Sequence, residues 1–473
     1  VYGAGSAGCM LPRALDGLNG HTYQLVGYVD DDPAKRGVII GHHRVLGSGR
    51  ELAKLVRKYR IDEVVIAIPS ASRERMREIY LACREANVTA KAMPPFLELL
   101  EGRSFAPREV RVEDLLGRDL AVKSIELHED YLRDQVILVT GAGGSIGSEL
   151  CRQICRYGPR QLLLLGRGEN RIHWAYLSLR QRYPEIDFVP LIHSVTSAPA
   201  LRQVFATYQP SVVFHAAAHK HVYLMERVPA EAAYNNIEGT MNVADLAEEF
   251  GVRRFVFIST DKAVAPTSVM GATKRVCELM LTARPHRGTC FVCVRFGNVL
   301  GSEGSVLEIF RRQWARREPL TVTHREATRY FMTIPEACFL VLQAGAIGEH
   351  AGIYLLDMGQ PVSIMKLAED FILLSGGNPH DLDAIKITGL QPGEKLHESL
   401  TSYDEKLLQT EDPYIFQVDT RNVQFTPEYL DRQLDALARC VADGDDRAVR
   451  ELLRQMTGGY LPTAQPPAGS RVR

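Results

Sequence analysis

Thr260, Asp261 and Lys262 stand together directly after an apolar run, Arg254-Phe-Val-Phe-Ile-Ser259. A hydroxyl, a carboxyl and an amine in successive positions can hydrogen-bond an oxygen, donate a proton and accept one. The C-terminal end of a parallel strand is also where open α/β sheets build their sites. The plainer alternative for Asp-Lys is an ion pair at a strand end. Lys274 follows on a predicted helix, four residues after Met270, so the two side chains share one helical face. A thioether has no proton to exchange. If this cluster is active, Asp261 and Lys262 are its close titratable pair.

A second group of residues points to a phosphate-bearing ligand. The strand Val136-Ile-Leu-Val-Thr140 feeds Gly141-Ala-Gly-Gly-Ser-Ile-Gly147. Gly141, Gly144 and Gly147 form G-x-x-G-x-x-G, with Gly143, Ser145 and Ile146 in the same turn. Glycines there permit a tight turn and close backbone approach to a pyrophosphate, and the following helix N-terminus offers N–H donors. A strand–turn–helix with packing glycines is the simpler alternative. A second strand, Gln161-Leu-Leu-Leu-Leu165, at the right distance favours the dinucleotide. At its end, where an acid would hold a ribose 2′-hydroxyl, stand Gly166 and Arg167. Arg167 suits a 2′-phosphate, so NADP is preferred and NAD stays open. Ser194 and Val195 are expected beside the adenine. A strand ending at His215 leads into Ala216, Ala217 and Ala218, expected along the cofactor, and then into Lys220 and His221.

The elements that must position these residues set the architecture. At 473 residues the chain is too long for one ordinary domain. Residues 1–104 alternate strand and helix: Gly3, Gly5 and Gly8 make a weaker G-x-G-x-x-G, the strand Tyr23-Gln-Leu-Val-Gly-Tyr-Val29 ends in Asp30, a helix is expected over Glu51–Tyr59, a strand over Glu63–Ile68 and a helix over 72–86. Whether this block binds a ligand stays open. Residues 105–134 read as a linker, 135–460 as a second α/β block, and 461–473 as a disordered tail rich in Pro and Gly. The fold class expected is α/β, with two Rossmann-like doubly wound parallel sheets, the second carrying a smaller C-terminal substrate-binding portion. The glycine motif at Val1-Tyr-Gly-Ala-Gly lacks the strand that should precede it, and the chain is expected to be cut there.

Composition narrows the class. A formal net charge of −1 argues against nucleic-acid binding. Of nine cysteines only Cys290 and Cys293 form C-x-x-C, and on a strand that spacing points them to opposite faces, so no metal site is expected. Scattered thiols fit a reducing compartment. No apolar run is long enough for a membrane span, and no signal peptide is evident.

The run Ser259-Thr-Asp-Lys-Ala-Val-Ala-Pro-Thr-Ser-Val-Met-Gly-Ala-Thr-Lys274 resembles the large, CapD-like nucleoside-diphosphate-sugar 4,6-dehydratases of bacterial polysaccharide and glycan biosynthesis, in the extended short-chain dehydrogenase/reductases. In most members of that superfamily the position of Met270 is Tyr, the acid/base. Met here is specific to this branch. His215-Ala-Ala-Ala-His-Lys-His-Val222, Asn236-Ile-Glu-Gly-Thr240, Arg295-Phe-Gly-Asn-Val-Leu-Gly301, Thr328-Arg-Tyr-Phe-Met-Thr-Ile-Pro335 and Gly389-Leu-Gln-Pro-Gly-Glu-Lys395 are similar to the same family, although His219 departs from its usual aliphatic residue.

The resemblance implies a UDP-sugar, typically UDP-N-acetylglucosamine, and a tightly bound NADP or NAD. It implies oxidation at C4, loss of water across C5 and C6, and hydride return to C6. Lys262 is then the candidate base for the C5 proton, provided its pKa is lowered. Asp261, if protonated, is the acid, Thr260 a hydrogen-bond donor to O4, and Lys274 the holder of the nicotinamide ribose. Asn298 is expected near the diphosphate, Arg329 at a phosphate and Glu394 at a ribose; Lys220, His221 and Met270 are expected to line the sugar pocket. Each of these could equally be structural. The resemblance further implies a homo-oligomer and a cytoplasmic domain, at the inner face of the plasma membrane if membrane helices lie upstream. A 4-epimerase or 4-reductase on the same fold, or a non-catalytic NAD(P)-binding regulator, are the competing readings.

Overall fold

The computed structural model describes residues 1–15, 23–68, 71–93, 107–112, 114, 129–379, 381, 383–419 and 426–458. The expected tail over 461–473 and most of the expected linker over 105–134 lie outside these residues. The chain divides into two compact units: Val1–Ile125 with Lys366–Ala384, and Glu126–Met365 with Ile385–Arg473.

In the first unit Tyr2 bridges in parallel to both Val29 and Ile66. It thereby fills the central slot of a small sheet. The order across that sheet is Ile39–Ile40, His43–Gly47, Tyr28–Val29, Tyr2, Glu63–Ile66, Thr89–Ala92 and Arg108–Glu109. The strand expected over Tyr23–Val29 is confined to Tyr28–Val29. The helices Leu52–Tyr59 and Arg73–Glu85 match their expected places. Asp30, the residue that follows the strand Tyr28–Val29, spends its carboxylate on its own unit: it accepts from Ala4 N at 2.7 Å, Asp32 N at 3.0 Å and Lys35 Nζ at 3.0 Å. The segment Lys366–Ala384 belongs to this unit, where Asp370 pairs with Arg77 at 3.1 Å and Leu373 O accepts from Arg84.

The second unit is built on a nine-stranded sheet. Its strands are β1 (Val136–Thr140), β2 (Gln161–Gly166), β3 (Asp187–Ile192), β4 (Val212–His215), β5 (Arg254–Ile258), β6 (Cys290–Arg295), β7 (Gly352–Leu356), β8 (Lys406–Gln409) and β9 (Ile415–Asp419). Their order is β8-β9-β7-β6-β5-β4-β1-β2-β3. The run from β3 to β7 is parallel, and β9 and β8 add antiparallel strands at one edge. The order reverses between β1 and β4, where doubly wound sheets open a crevice. Every residue of β1 is buried. That explains its unbroken apolar sequence, since parallel strands are covered on both faces. The helices used below are α1 (Ser145–Ile154), α2 (Glu169–Arg182), α3 (Gly239–Glu249), α4 (Val269–Thr282), α5 (Pro427–Ala442) and α6 (Asp446–Met456). The last two bury Leu430, Leu434, Leu437, Val449, Leu453 and Met456 in the main core. No helix of the described residues is long and apolar enough to cross a membrane.

One buried charge ties strands to helix. Arg295, the last residue of β6, is fully buried. Its guanidinium donates to Glu278 on α4 twice, at 2.7 Å, and to Glu405 twice, at 2.9 Å. Glu278 also accepts from Ser259, just past β5, at 2.6 Å. Cys293 of β6 packs in the core while Cys290 approaches Gly348 O, so the two thiols face apart as the strand requires.

Burial alone would raise the Glu278 pKa, but the charge and hydrogen bonds of Arg295 hold it down, from 4.5 to about 2. A depressed carboxylate pKa contributes stability that is complete above the unfolded value and lost as pH falls through the folded one. Glu278→Gln is therefore expected to cost about 3–5 kcal/mol at pH 7, because it strands a buried guanidinium. Urea unfolding midpoints compared between pH 7 and pH 3 test this: the gap to the parent protein should narrow at the lower pH.

Candidate active site

The site starts from a close approach that only glycine permits. Helix α4 is capped by Ser268, whose Oγ accepts from Gly271 N at 3.1 Å. A Cβ on Gly271 would lie 2.3 Å from Lys262 O. The residue after Met270 therefore lets the 3-10 turn Asp261–Ala263 lie against the helix. Thr260 Oγ1 caps that turn by accepting from Lys262 N at 3.3 Å, and Asp261 N donates to Phe296 O at 3.0 Å.

Five side chains meet here. Lys262 Nζ donates to Asp261 Oδ1 at 3.0 Å and to Asn298 Oδ1 at 2.9 Å, and lies 3.6 Å from Glu398 Oε1. Thr260 Oγ1 donates to the same Asp261 oxygen at 2.9 Å. Asp261 is fully buried, and Glu398 is 8% exposed. Asp261 Oδ2 and Glu398 Oε2 are both buried without a hydrogen-bond partner. Burial pulls the Lys262 pKa down, but Asp261 and Glu398 outweigh it and hold it above the usual lysine value. The lowered pKa expected for Lys262 is thus not what its surroundings give. The ammonium is the resting form, because two carboxylates face it.

Lys274 is the lysine with the looser proton. It is 6% exposed, with Nζ 3.9 Å from the Phe257 ring centroid. Burial lowers its pKa from 10.5 to about 8, against the opposing pull of Cys277 and Glu278. Met270 is buried in the main core.

The glycine turn at the crevice is tightly built. Gly141 has φ +69°, and a Cβ there would come within 2.8 Å of Ala217 N; a Cβ on Gly147 would lie 2.1 Å from Gly141 O. Gly143 lies against Arg171, and Ser145 opens α1. Beneath the turn, His215 links Thr140 Oγ1 at 2.7 Å to Thr240 Oγ1 at 3.0 Å. Burial, with the nearby charge of Lys274, lowers the His215 pKa to about 3, so it is a neutral strut. Asn236, in a one-turn π-helix Tyr234–Glu238, donates to His219 O at 3.1 Å and Thr273 Oγ1 at 3.0 Å and accepts from His219 N at 2.8 Å. It fixes the segment after β4 against α4, and nothing in its sequence neighbourhood announces the π turn.

Other expected residues take their places around this centre. Arg167, more than half exposed, reaches His219 at 3.3 Å and lies 4.0 Å from Glu231. Ser194 Oγ bonds Thr196 Oγ1 at 2.9 Å, and Val195 packs beneath Gly239. Lys220 Nζ donates to Glu303 O at 2.7 Å, and His221 lies against Gly304. Ile146 contributes its carbonyl to Cys338 Sγ at 3.6 Å. Arg329 and Glu394 are brought to each other at 2.6 Å. Arg329 also donates to Thr328 O and Leu396 O, and Glu394 accepts from Thr323 and Gln391, so both ends of that pair are internally engaged. Glu398 and Lys395 belong to the site although only the second lies in a motif singled out above. Their signal was two charges flanking Leu396 and His397 just past a Pro-Gly turn.

Gly271→Ala tests the close approach. The added methyl must displace the Lys262 carbonyl, at a cost of about 1–3 kcal/mol for overpacking. The thermal midpoint should fall, and an unchanged midpoint would mean that the turn and helix do not meet as described.

Known proteins resemble this chain over most of its length. Residues 137–420 match the family model described as "Polysaccharide biosynthesis protein". The chain is 46% identical over 411 residues to the capsular polysaccharide biosynthesis protein CapD of Staphylococcus aureus, covering 86% of this chain and 68% of that one. Among solved structures it is similar to Pen from Bacillus thuringiensis, with 29% identity, a TM-score of 0.56, and 62% and 89% of the two chains covered. It also shares the fold of DesIV, a dTDP-glucose 4,6-dehydratase from Streptomyces venezuelae solved with NAD and TYD, at 20% identity and a TM-score of 0.51 over 68% and 98% of the chains. A glycine turn at the switch point of a doubly wound sheet, an Asp-Lys pair beyond β5 and this likeness over most of the chain lead to one statement: the protein belongs to the CapD-like polysaccharide biosynthesis family, on the short-chain dehydrogenase/reductase fold.

Proposed function

We propose that the chain is a nucleotide-sugar 4,6-dehydratase that acts on UDP-N-acetylglucosamine with tightly bound NADP or NAD. The observation that carries this reading is the part-buried 3.0 Å hydrogen bond between Lys262 and the fully buried Asp261 beyond β5, in a site whose usual phenol position is Met270. Membership of the CapD-like family supports an activated sugar as substrate, and the fold shared with DesIV is compatible with the chemistry.

The residues present fit a dinucleotide. Gly141, Gly144 and Gly147 let the turn after β1 pack closely on its own backbone, and α1 begins directly after it at Ser145, so the helix N-terminus lies at the turn where a pyrophosphate would be held. These residues would hold the pyrophosphate, Ser194 and Val195 the adenine end, Arg167 the 2′-phosphate of NADP, and Lys274 the nicotinamide ribose. When bound, the cofactor supplies reversible redox exchange with the sugar.

The protein's own groups do the proton work. At rest the pair is an ammonium and a carboxylate. Moving one proton along the 3.0 Å bond converts it to an amine and a carboxylic acid with no change in net charge. A substrate that excludes water favours the neutral form, because buried separate charges are costly. The Lys262 amine then takes the C5 proton, while Asp261 gives its proton to the C6 hydroxyl as the C6–O bond breaks. Water leaves, a C5–C6 double bond forms, and the pair returns to ammonium and carboxylate. Thr260 hydrogen-bonds O4 during this step.

Incubation with UDP-N-acetylglucosamine followed by mass spectrometry should reveal loss of one water. A product of unchanged mass would favour an epimerase, and no conversion would favour a non-catalytic binder. Lys262→Ala should lower turnover by at least about 100-fold, and denaturation of that variant should still release cofactor. Parent-like turnover would remove Lys262 from the mechanism.

A further inference from the structure

Glu398 lies outside every motif singled out in the sequence, yet it completes the charge balance around Lys262. Its Oε1 is 3.6 Å from Lys262 Nζ, and its Oε2, buried and without a hydrogen bond, is 3.8 Å from Lys395 Nζ. The groups facing Lys262 are Asp261 from its own turn, Asn298 from the segment after β6, Glu398 from the segment after the Pro-Gly turn, and the more distant charge of Arg329. Lys395 sits on the far side of Glu398, donates to Val264 O at 2.8 Å, and is buried enough that its own pKa is lowered despite its carboxylate neighbours. Two buried carboxylates and two half-buried ammoniums thus share one cluster, arranged as Asp261, Lys262, Glu398 and Lys395.

The ionic contacts of Glu398 are long. Neither 3.6 Å nor 3.8 Å is a hydrogen bond. A carboxylate kept for stability alone would be expected to close on one lysine or on a backbone donor. Held at ion-pair distance from two ammoniums, Glu398 acts on both through its charge.

We propose that Glu398 is a positioning residue for the Lys262–Asp261 pair: its negative charge biases the shared proton toward Lys262 and so sets the pH window in which the pair exchanges it, while Lys395 tempers that bias from behind. This inference rests on the dehydratase reading. Removing the charge of Glu398 makes Lys262 easier to deprotonate, and removing the charge of Lys395 makes it harder. The two changes therefore act in opposite directions on one titration, which loss of packing would not do.

The test is the pH dependence of water loss from UDP-N-acetylglucosamine in the holoenzyme. In Glu398→Gln the limb governed by Lys262 should move to lower pH by about one unit, the size expected from one charge within ~4–6 Å. Glu398→Asp should bring it back toward the parent position, and Lys395→Met should move it to higher pH. A Glu398→Gln profile with both limbs in place and only its height reduced would overturn the proposal, as would an upward shift. If Glu398→Gln does not fold, Lys395→Met decides alone by the sign of its shift. Failure of the parent enzyme to remove water would instead count against the dehydratase reading itself.

Discussion

The guanidinium of Arg295 is the constraint on which the site depends. A fully buried cation at the end of β6 is tolerable only with complete pairing. Glu278 and Glu405 supply that pairing from a helix and a distant turn. Glu278 also takes the hydroxyl hydrogen of Ser259, so the ends of β5 and β6 and the middle of α4 are fixed to one another through a single charged network. Thr260, Asp261 and Lys262 follow from the first of these anchors, Asn298 from the second, and Lys274 sits on the third, one helical turn before Glu278. The positions of the reactive groups are inherited from an ion network that does not itself need to touch a ligand.

Within that frame the chemistry is a matter of which charges face each other. Two lysines have their protons tuned in opposite directions by neighbours of different kinds. Lys274 sees mostly apolar surroundings and an aromatic face, and its ammonium is destabilised by burial. Lys262 is also largely removed from water, but the carboxylates of Asp261 and Glu398 restore its charge. The first suits a residue that binds and orients. The second suits a residue that must exchange a proton with an immediate neighbour while the net charge of the cluster stays constant.

Close backbone approach does the remaining positioning. Gly271 admits the Lys262 carbonyl to the surface of α4, and Gly141 and Gly147 bring the first turn of α1 onto the chain after β1. The neutral His215 strut and the π turn carrying Asn236 then hold the segment after β4 in register with both. These are steric and hydrogen-bonding devices, so they persist whatever the pH does to the ionic cluster.

The sequence by itself determined the alternation of strand and helix, the glycine turn beyond β1 and the adjacency of Thr260, Asp261 and Lys262, because these are local: apolar runs, glycine spacing and neighbouring positions are legible without distant contacts. It also made plain that Met270 cannot exchange a proton. Only the tertiary structure decided how far Lys262 is removed from water and that Glu398, from far along the chain, joins its neighbour Asp261 in holding its charge, because a pKa depends on what lies within a few ångströms whatever the separation in sequence. The same holds for Arg329 and Glu394, expected apart at separate ligand groups and found paired with each other, and for Asp30, whose carboxylate is consumed by its own turn. Local pattern names the groups; long-range packing sets the electrostatic field in which they work.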